Sequence, residues 1–239
     1  MLYQTRAIVL RTVKYGESSL IVDMYTEQKG HQTFIVHSVR KAKATTPPSY
    51  LQLLSLVDMV AYYKDHRKIH HVKEIRLDHA YQSIPFDMRK SSVITCLAEI
   101  TSRTITTSYP QPDLFQFLHS ELINYDRPDH YDRDFLIRYL VSLTSFLGFA
   151  LEIPHNGAEE KYLDLMEGTL VKLRPVHDYV IMPSDLIHLQ TIMNAGSTQR
   201  ADVSLEIRRR LIDQIITYYQ LHVETLREVQ SLNILRELL

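Results

Sequence analysis

The 239 residues carry 27 Lys plus Arg against 28 Asp plus Glu, with 45% hydrophobic and 23% charged residues, a composition that excludes intrinsic disorder and low-complexity scaffolds. The length fits one large domain or two small ones. The single cysteine, Cys96, excludes an internal disulfide and a thiolate metal cluster, and makes a reducing cytoplasm the expected compartment. The stretch from Met1 to Arg11 holds Arg6 within its apolar run and lacks a small-residue cleavage site, so no secretory signal is expected. Apolar runs such as Leu53 to Val57 fall far short of the roughly 20 residues that span a bilayer.

The overall neutrality averages two unlike parts. Residues 1 to 80 hold 12 Lys plus Arg and 7 Asp plus Glu, a net of +5, which leaves 15 against 21, a net of −6, for residues 81 to 239. A basic block beside an acidic one is a recognised sign of polyanion contact on the basic side, set against ordinary compositional scatter.

The first 80 residues alternate apolar and polar positions and are rich in β-branched and aromatic residues, which predicts strands. Tyr3, Thr5, Ala7, Val9 and Val13 share one face, and Arg6 and Lys14 lie on the other with Ile8 and Leu10. Gly16-Glu17-Ser18 makes a turn into Leu20 to Tyr25, and Lys29-Gly30 reverses the chain into Thr33 to Val39, a three-stranded meander. The stretch Arg40 to Pro48 is a cationic loop, and strands resume at about Leu54 to Tyr63 and Ile69 to Leu77. Five strands in about 80 residues suit a partly open barrel of the OB type. The pattern alone also admits an SH3-like barrel or a small sandwich.

Beyond Pro85 the period becomes helical. Val93, Ile94, Leu97, Ala98 and Thr101 form one stripe, and Leu114, Phe117, Leu118, Leu122 and Tyr125 another behind Pro112-Asp113. Phe135 to Leu147 forms a third, closed by Gly148. Ser184 is the expected cap of a helix over Asp185 to Asn194, and the longest helix is expected from about Ala201 to Val223. The fold class expected is therefore α+β in two domains: a five-stranded barrel over 1–80, then a helical bundle over 81–239 interrupted by an irregular segment at 151–183. Within that segment, Thr169 to Leu173 and Tyr179 to Met182 are candidates for a hairpin.

The run Ala7 to Val22, followed by Tyr25-Thr26 and Lys29-Gly30, resembles the opening of the bacterial RecO family of recombination mediators. Leu211 to Tyr219, Leu221-His222, Leu226-Arg227-Glu228 and Ser231 to Leu235 resemble its close. The resemblance implies an N-terminal OB fold, a helical C-terminal domain and a cytoplasmic, nucleoid-associated repair protein without catalysis or cofactor. It also implies binding to single- and double-stranded DNA, annealing of complementary strands, and work with RecR, the tail of single-stranded DNA-binding protein and, indirectly, RecA. No membrane or small-molecule substrate is implied. Many family members carry a four-cysteine zinc site after the helix that here ends at Gly148. This chain has Leu151 to Gly157 there without cysteine, so no metal is expected.

Phosphate binding by counterion release needs several cations along one groove rather than a motif. The expected DNA-binding residues are Arg6, Arg11, Lys14, Lys29, Arg40, Lys41, Lys43, Arg67 and Lys68, with Tyr15 beside Gly16 as the aromatic most apt to stack on a base. Phe34 is expected in the core. Arg138, Arg208 and Arg209 are candidates to hold a partner's terminal carboxylate on the helical domain. His66, His70, His71 and His79 crowd a strand where their spacing spreads them, and they are expected to be scattered surface histidines. Neither a nucleophile elbow nor a phosphate loop is present, and six glycines serve the whole chain. The competing reading is a protein-interaction or RNA-binding adaptor without DNA activity.

Overall fold

A computed structural model describes residues 2–39, 46–64, 66–128, 130–154, 161–196 and 201–238. The chain forms two compact units, Met1–Asp129 and His130–Leu239.

The first unit is built on β1 (Leu2–Tyr15), β2 (Ser19–Thr26), β3 (Gly30–Val36), β4 (Leu56–Tyr62) and β5 (Ile69–His79). They close into a barrel of order β1-β2-β3-β5-β4, the expected OB type. Closure depends on the length of β1. Its first half, Leu2 to Ile8, pairs with β4, and its second, Ala7 to Tyr15, with β2. The seam between β3 and β5 is parallel and three residues long. Inside lie Tyr3, Ala7, Val9, Val22, Met24, Phe34, Val36, Val57, Met59 and Ala61, so Phe34 takes the core place expected of it.

One expected face is corrected. Val9 pairs with Met24 and Arg11 with Asp23, which makes Leu10 an extra residue, a β-bulge. A bulge reverses the in–out parity beyond it. Val13 therefore leaves the face it would share with Val9 and is 41% exposed. Ile8 and Leu10, on the side opposite the barrel core, are buried as well, and α1 (Met88–Thr104) packs against β1.

Two helices complete this unit, α1 and α2 (Pro112–Tyr125), and the expected stripe residues Val93, Ile94, Leu97, Ala98, Leu114, Leu118 and Leu122 are buried in them. What ties α2 to the end of β5 is Asp126. Its carboxylate accepts hydrogen bonds from the amides of Gln82 (2.7 Å), Ser83 (2.9 Å) and Ile84 (2.9 Å), and meets His79 Nε2 at 3.1 Å. Burial alone would raise its pKa; the three amides and His79 together outweigh that and hold it below the ordinary carboxylate value. Beside it the buried ammonium of Lys90 donates to Ser83 Oγ and to the carbonyl of Arg127, both at 2.7 Å.

The β2–β3 turn is pressed against the segment between the helices. His31 donates its backbone N–H to the Thr107 carbonyl at 2.9 Å. Gly30 adopts φ +63°, and a Cβ there would stand 2.4 Å from the Tyr109 carbonyl oxygen. Only glycine fits both the positive φ and this approach.

The second unit contains α3 (Phe135–Leu147), α4 (Pro183–Ala195), α5 (Leu205–His222) and α6 (Ser231–Leu238). Gly148 closes α3 in the left-handed conformation, as expected. Three expectations are corrected. The segment at 151–183 contains a small antiparallel sheet in which β6 (Tyr162–Asp164) lies between β7 (Thr169–Val171) and β8 (Val180–Ile181). Residues 169–171 thus pair with 162–164, not with 180–181, because the Glu167-Gly168 turn is tight enough to close that hairpin locally. Pro183 occupies the first turn of α4, where its missing N–H costs nothing, and Ser184 is no cap. α5 starts at Leu205, with Ser204 Oγ accepting from the Ile207 amide, rather than at Ala201.

Two outcomes test this frame. Gly30→Ala is expected to destabilise the barrel by about 2 kcal/mol or more in urea melts, since both strain and backbone clash arise. Asp126→Asn is expected to cost about 2–3 kcal/mol at neutral pH. Because the folded pKa of Asp126 lies below the ordinary 3.8, its contribution is complete above that value and drains as pH falls through the folded one. The gap between the two proteins in melts taken from pH 7 downward should therefore close on the acid side.

Candidate nucleic-acid interface

An OB barrel offers its strand 2–3 face and the loops β1–β2 and β4–β5 to oligonucleotides. Half of that face is covered here. Tyr25 is buried, stacked on Phe115 of α2 at 6.3 Å, and the adjoining turn is bonded to Thr107. In the other half, toward the β1–β2 hairpin, Ile21 is half-buried and Ile35 is buried.

At that hairpin Lys14 pairs with Leu20 and Tyr15 with Ser19, so both stand at the tip of a two-stranded ribbon. Lys14 is exposed and Tyr15 is 53% exposed. Arg11, one step inward, keeps its guanidinium largely in solvent, 3.8 Å from Asp23, whose carboxylate also accepts from Thr33 Oγ1 at 2.7 Å. At the far end of the barrel, Lys64, Arg67 and Lys68 are exposed in the β4–β5 loop, where the Arg67 amide bonds the Lys64 carbonyl at 3.0 Å. Lys29 reaches toward them, its ammonium 5.0 Å from the centre of the Tyr63 ring, which stacks on buried His70 at 4.4 Å. The registers set Arg11 level with Thr33 and Ile69 at the middle of β3, and Lys14 level with Val36 at its end, so the start of β5 lies roughly 10 Å along the strand from the level of Lys14 at 3.3 Å per residue. Arg40, Lys41 and Lys43 lie outside the described residues.

Arg6 stands apart from these. Its guanidinium makes a two-pronged pair with Glu27 at 3.0 and 2.6 Å and lies 5.3 Å from the centre of the Phe115 ring. The hydrogen bond from Arg6 holds the Glu27 carboxyl below its usual range. The charge of Arg6 is answered within the fold, between β1, the β2–β3 turn and α2.

The helical unit divides the three candidate partner cations. Arg208 is buried, donating to both oxygens of Asp134 at 2.7 and 3.2 Å, to the Ala201 carbonyl at 3.0 Å and to that of Val203. A guanidinium with this many fixed acceptors ties the start of α3 to the start of α5 and cannot meet a partner's carboxylate. Arg138 is also nearly buried and paired with Asp132. Arg209 is exposed, donating to the Arg236 carbonyl at 2.9 Å.

The sequence offers no sign of His37 as a surface feature and sets His71 among scattered histidines, while Tyr62, one of the barrel aromatics more often found in a core, is 50% exposed. The parallel β3–β5 seam brings His37 to His71, Nε2 to Nδ1 at 3.1 Å. Residues 34 positions apart give no local signal of such a pair.

Barrel order and an added helical unit define a class: an OB-barrel protein extended by helices. Residues 1–81 match the family model described as Recombination protein O N terminal, and residues 85–230 the one described as Recombination protein O C terminal. The chain is similar to the DNA repair protein RecO of Bacteroides fragilis, 31% identical over 100% of this chain and 99% of that protein. It is similar also to those of Phocaeicola vulgatus, at 28% over 100% of this chain and 99% of that protein, and Flavobacterium johnsoniae, at 26% with the same coverage. The chain belongs to the RecO family, and its role lies in DNA repair and recombination.

Replacement separates the buried from the exposed arginine. Arg208→Ala leaves the Asp134 carboxylate buried and unpaired, and is expected to cost about 3–5 kcal/mol in denaturant melts. Arg209→Ala is expected to cost less than about 1 kcal/mol.

Proposed function

We propose that the barrel holds DNA, single- or double-stranded, by its phosphates, and that the chain acts by binding alone: it brings complementary strands together and, with RecR, helps RecA displace single-stranded DNA-binding protein at gaps in the nucleoid. One observation carries most weight. The cations Lys14 at one end of β3 and Lys29, Lys64, Arg67 and Lys68 toward the other are set at the loops of an OB barrel, with Arg11 between them at the level of Thr33, and, Arg11 apart, they have no carboxylate within salt-bridge reach among the described residues. Ion pairing within the fold takes up Arg6, Arg138, Arg208 and Arg210, and passes over this group. Arg40, Lys41 and Lys43 belong to the same proposal by their place in the chain, directly after the β3 end where Lys14 and Tyr15 stand.

The mechanism follows from counterion release. Each phosphate met by a Lys or Arg frees condensed cations, so affinity comes from entropy that falls as salt rises, and base identity plays little part. A strand held along its backbone keeps its base edges free to pair, which is what annealing requires, and no bond in the DNA is made or broken. The helical unit is the part left for protein partners, with Arg209 the surface cation suited to a terminal carboxylate.

Fluorescence anisotropy on a labelled oligonucleotide should show affinity dropping steeply between 50 and 200 mM salt, on the order of a thousandfold for about six phosphate contacts. Replacing Lys29, Arg67 and Lys68 together by Ala should lower the slope of log affinity against log salt by about 2–3 and slow annealing, with the melting temperature unchanged. Salt-insensitive binding, or none, overturns the proposal.

A further inference from the structure

The outward residues of the five strands form one transverse row. Register sets Leu2 beside Tyr62, Tyr62 beside His71, His71 beside Ile35, Ile35 beside Ile21, and Ile21 beside Val13. The row is apolar or aromatic along its whole length. An outer strand face in contact with water alone is expected to be polar. Here Leu2, Tyr62 and Val13 are 46, 50 and 41% exposed, Ile21 and His71 are half-buried, and Ile35 between them is buried at 8%.

At its middle the row is widened by His37. Its Nε2 lies 3.1 Å from Nδ1 of His71, the ring centres are 5.3 Å apart, and the planes differ by 22°. That centre-to-centre distance is about two ring radii added to the contact, so the imidazoles meet edge to edge in nearly one plane. Ser19 Oγ, 3.3 Å from Nδ1, holds the other edge of His37. The pair is a flat aromatic plate two rings wide.

The surroundings of the row are cationic. Arg11, Lys14 and Tyr15 adjoin Val13 on β1, and Arg67 and Lys68 precede Ile69 on the strand that carries His71. Of the carboxylates near the row among the described residues, Asp23 is held by Thr33 and Arg11, Glu74 pairs with Lys73, and Glu17 lies in the hairpin turn.

We propose that this row is a base-stacking platform that takes single-stranded DNA, with Tyr62 and the His37–His71 plate as its stacking surfaces. The proposal rests on the reading of the barrel as a DNA-holding surface, and adds the form of DNA the face selects and the residues that select it. A duplex buries its base faces, so only an unpaired strand can lay bases on exposed rings. Flanking cations then meet the phosphates on either side. Stacking occupies the faces of the bases and leaves their pairing edges outward, the posture from which a complementary strand can anneal.

The test compares three labelled ligands of equal length: a thymidine oligonucleotide, an abasic oligonucleotide that keeps the phosphates but lacks bases, and a duplex. The full chain should bind the thymidine strand about tenfold or more tightly than the abasic one. Tyr62→Ala, and His37→Ala with His71→Ala, should each weaken thymidine binding by about tenfold, leave abasic and duplex binding within about twofold and leave the salt slope unchanged, whereas Tyr62→Phe should bind as the unsubstituted chain does. Equal affinity of the unsubstituted chain for thymidine and abasic strands overturns the platform while a steep salt slope keeps the phosphate-holding reading. Absence of binding to all three overturns both. Variants with native melting curves that keep full thymidine affinity, or that lose affinity equally for all three ligands, also overturn the platform.

Discussion

The constraint on which the barrel depends is that β1 must serve two partners at once. A single strand bonded to β4 along its first half and to β2 along its second closes the sheet without an edge, and this requires the strand to be long and to change direction midway. The extra residue at Leu10 supplies the change. At that point the Val9 N–H bonds the Ser55 carbonyl and the Leu54 N–H bonds the Val9 carbonyl, so the backbone of Val9 is satisfied where the ladder passes from one partner to the other. The outer row of the barrel and the exposure of Val13 both follow from the parity that this bulge resets.

Around the closed barrel, charge is spent in two ways. Where cations meet helices or buried segments, as at Arg6 with Glu27, Lys90 with Ser83 and Arg127, or Arg208 with Asp134, they are desolvated and paired, and they fasten elements together. An unpaired charge in such places would cost several kcal/mol. Where loops leave the barrel, Lys14, Lys64, Arg67 and Lys68 stay in water, and their field remains available to a polyanion. A count of charges gives both kinds the same weight; burial separates them.

The barrel was legible because its strands are local alternations and its turns carry glycine at positive φ, and the helices because their stripes repeat within one turn or two. The pairing inside the segment at 151–183 was not. Its strands are two or three residues long, too short to show a period, and which of them pair depends on the turn at Gly168 rather than on composition. The same limit applied to the arginines of α5. Arg208, Arg209 and Arg210 are adjacent, and each helical step turns the side chain by about 100°, so one is buried against Asp134, one stays exposed and one meets Asp185. Nothing in three consecutive arginines says which is which.

The sequence by itself determined the order of elements, a basic strand-rich first third, an acidic helical remainder and the family, because periodicity, glycine placement and local motifs are properties of neighbouring residues. Tertiary structure alone decided that His37 meets His71, that Leu2 and Val13 bound one transverse row, and that Arg208 is interior. Each of these joins residues from different elements, and their approach is set by barrel register or helix packing, which are fixed only when the whole sheet closes and the whole core is filled.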